Sequence, residues 1–268
     1  MRLRDRIAVL TAGKGKWVIR AASTAACVCM LVLLGFYLGL RFNYPSRSVY
    51  PIHGLDVSHH QGAIDWARVP KNKFTFVIIK ATEGSDWVDP KFMTNWSQAK
   101  AAGLKVGAYH FFSLCKSGLD QARNFAGIVP LEPGMVTPVV DLEFLGNCPA
   151  RPDAAAVHAE IEHFVNLLAT VYGKRPILYT TYEFAALYLP DAFLRSERVW
   201  IRDVFRTPRA AFGEIWTLWQ YANNGRVPGI KGRVDLNVFR GDAKAFKALL
   251  IEPERQFAGA EQVISARR

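Results

Sequence analysis

The spacing of apolar and polar positions changes along this chain, and the changes mark its elements. From His53 onward, short apolar runs alternate with stretches of helical periodicity. The runs His53–Val57, Phe74–Ala81, Lys105–Phe112, Thr137–Phe144, Pro176–Thr181, Val199–Val204, Ile215–Tyr221 and Val234–Phe239 read as strands. Helical patterns separate the early ones. Pro90–Ala102 follows Asp89, a candidate N-cap, and stops before Gly103. Leu119–Ile128 is shorter. Asp153–Tyr172 places Val157, Ile161, Phe164, Val165 and Leu168 at helical spacing and ends at Gly173. Tyr182–Leu189 is a short helical turn. After residue 198 the gaps shrink, and no long helix fits until Ala243–Leu250. The pattern predicts an α/β fold, a TIM-like barrel with β/α units first and consecutive strands last.

The first forty residues follow another rule. Ala21 to Leu40 is a charge-free apolar run bounded by Arg20 and Arg41. Twenty residues of helix span about 30 Å, the hydrocarbon thickness of a bilayer. Arg2, Arg4, Arg6, Lys14, Lys16 and Arg20 precede the run against a single acid, Asp5, so residues 1–20 are expected on the cytoplasmic side. The run closes on Gly39-Leu40-Arg41-Phe42 without a small-x-small cleavage pair, which favours an uncleaved transmembrane anchor over a removed signal peptide. The expected organisation is a basic segment at 1–20, an anchor at 21–40, a linker at 41–52, a barrel at 53–251 and a polar tail at 252–268. The protein would sit in the cytoplasmic membrane by a single pass, with the barrel outside the cytoplasm.

Composition sharpens this picture. The net charge of +11 is uneven, because the part beyond residue 40 holds 28 basic and 22 acidic residues. That mild excess, with no basic helix carrying base-stacking aromatics, argues against nucleic acid as a partner. Cys27 and Cys29 fall inside the apolar run. Cys115 and Cys148 each follow the end of a predicted strand, so a disulfide could tie two loops at one rim if those strands are neighbours; the alternative is two free thiols. No zinc-ligand spacing is present.

The chemistry concentrates at strand ends. In Pro138-Val139-Val140-Asp141-Leu142-Glu143-Phe144, Asp141 and Glu143 are two apart and so share one face of a strand. Their Cα atoms would lie about 6.5–7 Å apart, close enough for one charge to raise the pKa of the other. Two carboxylates with separated pKa values can supply an acid and an anion to one bond, as glycoside hydrolysis requires. Other polar residues sit at strand ends in Gly54-Leu55-Asp56-Val57-Ser58-His59-His60, Lys80-Ala81-Thr82-Glu83-Gly84 and Val234-Asp235-Leu236-Asn237. A barrel gathers such ends at one mouth.

Taken together, these stretches resemble the lysozymes of glycoside hydrolase family 25, the Chalaropsis-type N-acetylmuramidases. The matching runs are Gly54-Leu55-Asp56-Val57-Ser58 with Gln61-Gly62, Ile64-Asp65-Trp66, Ile79-Lys80-Ala81-Thr82-Glu83-Gly84, Gly107-Ala108-Tyr109-His110-Phe111, Val140-Asp141-Leu142-Glu143, Trp219-Gln220-Tyr221 and Val234-Asp235-Leu236-Asn237. They cover about residues 53–241, in the family's order. The resemblance implies a barrel of five β/α units closed by three further strands. It also implies cleavage of the β-1,4 bond between N-acetylmuramic acid and N-acetylglucosamine in peptidoglycan, without a cofactor. Glu143 would be the general acid/base, Asp141 its partner, and Asp56 and Asp235 the other two carboxylates of the mouth.

Tyr109, Trp200 and Tyr221 are candidates for sugar contact or for core packing, and Trp87 is a candidate contact in a loop. The short spacing of Asp141 and Glu143 favours retention, by a carboxylate nucleophile or by the substrate's own acetamido group. One departure stands out. Val199-Trp200-Ile201 is followed by Arg202-Asp203, where the family usually has a small residue and then an aromatic. Arg202 could reach an acidic substrate group or pair with Asp203. Two other functions compete: an inactive membrane-anchored glycan-binding relative, and a metal-dependent polysaccharide deacetylase using His59, His60, His110 and Asp56. The sequence lacks a metal-ligand spacing among these residues, and no metal is expected.

Overall fold

The computed structural model describes residues 3–37, 44–208 and 216–252. The chain divides into two units, residues 1–42 and 43–268. The first is one helix, α1 (Leu3–Tyr37). Within it, Lys16–Gly35 is long and apolar enough to cross a membrane, by length and composition. That stretch begins five residues before the expected anchor, and residues 38–40 of the expected anchor lie outside the described part.

The second unit is a closed barrel. Its strands are β1 (His53–Val57), β2 (Phe76–Glu83), a two-residue β3 (Trp87–Val88), β4 (Lys105–Phe111), β5 (Val139–Leu142), β6 (Ile177–Thr180), β7 (Arg198–Arg202), β8 (Trp216–Gly225) and β9 (Val234–Phe239). The ring runs β1-β9-β8-β7-β6-β5-β4-β2 and closes through β1–β2 pairing, with β3 added as a hairpin on the end of β2. All ring pairings are parallel except those of β9, which is antiparallel to both β1 and β8.

The helices are α2 (Phe92–Ala101), α3 (Gly118–Ile128), α4 (Ala154–Tyr172), α5 (Tyr182–Tyr188), α6 (Asp191–Ser196) and α7 (Ala243–Lys247). All eight expected barrel strands are present, and the last third is helix-poor as expected. The β1–β2 connection holds only two 3₁₀ turns, His59–Gln61 and Trp66–Arg68. The short α6 and β3 were not legible in the periodicity, since neither has a full repeat to display. Asp89 does not cap α2 as expected; its carboxylate accepts from the Lys91 N–H at 2.8 Å, one residue before the helix begins. Asp153 does cap α4, accepting from the N–H groups of Ala155 and Ala156. Gly173 then ends α4 at φ 66°, a left-handed turn that glycine adopts without a Cβ penalty.

Two apolar layers hold the barrel. Leu55, Val57, Val77, Ile79, Val140, Leu178 and Val199 point outward onto Trp96 of α2, Phe125 of α3, and Phe164 and Leu168 of α4. Phe76, Ile78, Val139, Ile177, Leu218 and Phe239 point inward, with Phe246 of α7 packed among them. The lower bore is therefore solid, and Gly54 makes room in it: a Cβ there would meet the Phe76 ring at 2.3 Å. Polar side chains gather at the mouth, where the parallel strands end and the antiparallel β9 begins. Residues 44–52, expected as part of a linker, are docked on the barrel. The Tyr44 ring lies 5.3 Å from that of Tyr221, Tyr50 lies 5.8 Å from Trp216, and Ile52 is buried.

Cys115 and Cys148 form a disulfide between the loops that leave β4 and β5. Asn147 bolts the same loops: its Nδ2 donates to the carbonyls of Phe112 (2.7 Å) and Glu143 (3.0 Å), and its Oδ1 accepts from the Leu114 N–H (3.0 Å). Closing a loop with 33 residues of separation should restrict the unfolded chain by about 3–4 kcal/mol in the chain-entropy picture. The double variant Cys115→Ala/Cys148→Ala is expected to lose stability of that order, read as a lower urea midpoint. An unchanged midpoint would show that the unfolded chain gains no freedom from the cut.

Candidate active site

Inward-facing positions at the strand ends converge on a cavity of about 90 Å3. Asp56 (β1), Tyr109 (β4) and Asp141 (β5) line one side, with Glu143 one residue past β5. Tyr179 (β6), Trp200 (β7), Gln220 (β8) and Asp235 (β9) complete the wall. Strand alternation accounts for each. Asp141 follows inward Val139, Tyr179 follows inward Ile177, and Gln220 follows inward Leu218.

Asp56 and Asp235 are direct cross-strand partners in the β1–β9 register and share a hydrogen bond. Two aromatic donors set how that pair is charged. The Tyr179 hydroxyl donates to Gln220 Oε1 at 3.0 Å, turning the Gln220 Nε2 toward Asp56 Oδ2 at 3.1 Å. Trp200 Nε1 donates to Asn237 Oδ1 at 3.0 Å, turning the Asn237 Nδ2 toward the same oxygen at 2.7 Å. Each amide has its oxygen occupied, so only N–H groups face Asp56. Burial raises the Asp56 pKa, and the Asn237 and Gln220 donors pull it back. Burial, then the Asp56 charge, raises Asp235 to about 9. Asp56 therefore carries the charge and Asp235 the proton.

The second carboxylate pair is Asp141 and Glu143. Burial raises Asp141 well above the ordinary range, and the Glu143 charge adds to it. Burial also raises Glu143, against the nearby Arg202 and Lys80 cations. Asp141 Oδ1 is buried with no hydrogen-bond partner. A buried carboxylate oxygen without a donor is costly unless something else supplies one. Tyr109 stays protonated, its pKa raised well above normal by burial and then by the Asp141 charge, so its hydroxyl can donate into the cavity. Lys80, inward on β2, is engaged: its Nζ donates to Glu83 at 2.7 Å and lies 4.9 Å from the rings of Trp87 and Phe111.

The structure brings together Asp56, Asp141, Glu143, Asp235, Tyr109 and Trp200 from the sequence-predicted set. Two aromatics fall elsewhere. Tyr221 is the outward neighbour of inward Gln220; its ring packs on Trp219 and Tyr44, and it does not line the cavity. Trp87 stands at the rim on β3, partly exposed, 5.3 Å from the His59 ring. Tyr179, Gln220, Asn237, Lys80 and Asn147 went unassigned in the sequence, although Gln220 and Asn237 sit two residues from inward Leu218 and Asp235. Two of the candidate metal-ligating histidines are engaged elsewhere. His110 is buried outside the bore between Thr82 (2.7 Å) and Gln121 (3.1 Å), and burial lowers its pKa to about 3. His59 is held by Asp89 at 2.9 Å. Among the described residues, no three His, Cys, Asp or Glu side chains are grouped to hold a metal ion.

A barrel whose mouth crowds four carboxylates, walled by tyrosine and tryptophan, defines a glycosidase. Residues 55–230 match the profile of the glycosyl hydrolases family 25, and the chain belongs to that family. It is 35% identical over 206 residues to protein YegX of Escherichia coli K12, covering 75% of this chain and 74% of that one. It is 31% identical over 214 residues to lysozyme M1 of Streptomyces globisporus, covering 74% and 71%. The fold is similar to that of a family 25 glycosyl hydrolase from Bacillus anthracis, with a TM-score of 0.72, 38% identity, and 78% and 97% of the two chains covered.

The carboxylate pairing carries a stability cost that depends on pH. An unfolded Asp releases its proton near pH 4, whereas folded Asp235 keeps it to about pH 9. Between those values the folded state binds the extra proton, so this group's contribution to stability falls as pH rises. Asp235→Asn keeps a donor to Asp56 and removes the ionisation. It is expected to raise the urea midpoint at pH 8, by on the order of 1–2 kcal/mol, with the gain vanishing near pH 4. A gain that does not vary with pH would rule out Asp235 as the proton holder.

Proposed function

We propose that this protein is a lysozyme-type glycosidase that cleaves the β-1,4 bond between N-acetylmuramic acid and N-acetylglucosamine in peptidoglycan, with retention. Its family membership and its likeness to lysozyme M1 support the substrate class. The observation that carries the mechanism is the unpartnered Asp141 Oδ1 beside Glu143. An N-acetyl sugar in the cavity offers the missing donor, its acetamido N–H. That hydrogen bond favours ionised Asp141, and its negative charge in turn favours the protonated form of Glu143.

Glu143 then protonates the glycosidic oxygen as that bond breaks. The acetamido carbonyl oxygen, aligned by Asp141, closes on the anomeric carbon from the opposite face. Ionised Glu143 next takes a proton from water, and the water oxygen displaces the acetamido oxygen. Two inversions at one carbon give net retention. Ionised Asp56 lies beneath the same cavity and stabilises positive charge as it develops, while the Tyr109 hydroxyl is left to bind substrate.

The apolar stretch of α1 supports a membrane-anchored form, with the barrel held on the extracytoplasmic side where peptidoglycan lies. The parts played by residues 1–20, 41–43 and 252–268 in that arrangement belong to the same proposal.

Incubating the full chain in detergent micelles with purified peptidoglycan should release muramic acid reducing ends, read by mass spectrometry, with the β-anomer formed first by NMR. Glu143→Gln is expected to lower kcat by about 10²–10⁴-fold. New N-acetylglucosamine reducing ends would assign the wrong bond, and full activity in Glu143→Gln would remove that residue as the acid.

A further inference from the structure

Two cations, Lys80 and Arg202, lie near enough to the cavity to act on its carboxylates, and they differ in one respect. Lys80 is satisfied by Glu83 and by two aromatic rings. Arg202 has no such partner. It is the last residue of β7, two beyond inward Trp200, and its Cα pairs in register with that of Gln220; both neighbours line the cavity. Alternation therefore turns the guanidinium to the mouth.

The adjacent acid does not take it. Asp203 Oδ1 accepts from the N–H groups of Phe205 and Arg206, and its Oδ2 accepts from the Tyr182 hydroxyl at 3.1 Å. The pairing of Arg202 with Asp203 that the sequence allowed is thus absent. The four site carboxylates feel the Arg202 charge, which lowers each of them, yet none lies within 4.0 Å of it as an ion pair. Among the described residues, Arg202 makes no hydrogen bond or ion pair. A half-buried guanidinium with five N–H donors and no acceptor is incomplete, and its planar fork fits a carboxylate.

We propose that Arg202 is a specificity residue that binds a carboxylate of the glycan substrate beside the muramic acid residue. This rests on the muramidase reading and adds what that reading lacks, a cation for the anionic part of the substrate. A neutral N-acetylglucosamine polymer has no group for it. Peptidoglycan has two: the lactyl carboxylate of peptide-free muramic acid, and the carboxylates of the stem peptide. The site carboxylates would repel an incoming anion, and Arg202 supplies the local compensation.

The test uses the full chain in detergent with Glu143→Gln, which holds the glycan uncut, and the same chain with Arg202→Gln added. Each is titrated by calorimetry with peptide-free glycan strands and with stem-peptide-bearing strands, both native and with carboxyls reduced to alcohols. A charge-assisted contact predicts that carboxyl reduction weakens binding about 10–100-fold when Arg202 is present and less than about 2-fold when it is absent. An effect on peptide-free strands names the lactyl carboxylate as the ligand. An effect confined to peptide-bearing strands names the stem peptide. An equal effect of reduction in both proteins, or none in either, overturns the proposal. Failure of the muramidase reading would show separately, as the absence of muramic acid reducing ends with the unmodified chain.

Discussion

Closing this sheet into a ring sets Asp56 of β1 directly across from Asp235 of β9, and two buried carboxylates in that register cannot both ionise cheaply. The β1–β9 pairing, which joins the first strand of the barrel to the last, is thus also where its electrostatics are decided. Every other polar group at the mouth is arranged around the result. Tyr179 and Trp200 occupy the oxygens of two amides so that only N–H groups reach Asp56. Asp56 is kept anionic, and Asp235 is left with the proton. Removing either aromatic donor would free an amide to turn, and the charge assignment would lose its anchor.

That arrangement costs stability. Four acids in one small cavity stay compatible with folding because the bore beneath them is solid with Phe76, Ile78, Ile177 and Phe239, and because the outer layer is packed against α2, α3 and α4. The loops leaving β4 and β5 carry a further constraint. Asn147 fixes the Glu143 carbonyl to the β4 exit, and the Cys115–Cys148 disulfide repeats the tie a residue away. Glu143 lies past the last residue of its strand, so this bolt does for it what the sheet does for Asp141.

Arg202 and Lys80 are the counterweight. Both lower the acids they face, but Lys80 is spent on Glu83 and two rings, and Arg202 is not. The difference turns a general electrostatic correction into a candidate contact for substrate. It also separates the two acid pairs. Asp56 and Asp235 are settled by protein donors, whereas Asp141 keeps one buried oxygen open for a donor from outside.

The eight barrel strands, the long α4 and the meeting of Asp56, Asp141, Glu143 and Asp235 were legible in the sequence, because each rests on local period or on the rule that strand ends share a mouth. The absolute face of each aromatic was not. Barrel strands are apolar on both sides, so alternation says that Gln220 and Tyr221 differ without saying which points inward. Only packing decided that Tyr221 lies outside while Tyr179 lines the cavity. The same holds for the docking of residues 44–52 and for the Gln220 and Asn237 clamp on Asp56, whose partners lie 164 and 181 residues away along the chain. Period and residue type are carried by neighbours in sequence, and they determined the strands and the acids. Protonation and partnership depend on distances across the ring, and those exist only once the barrel has closed.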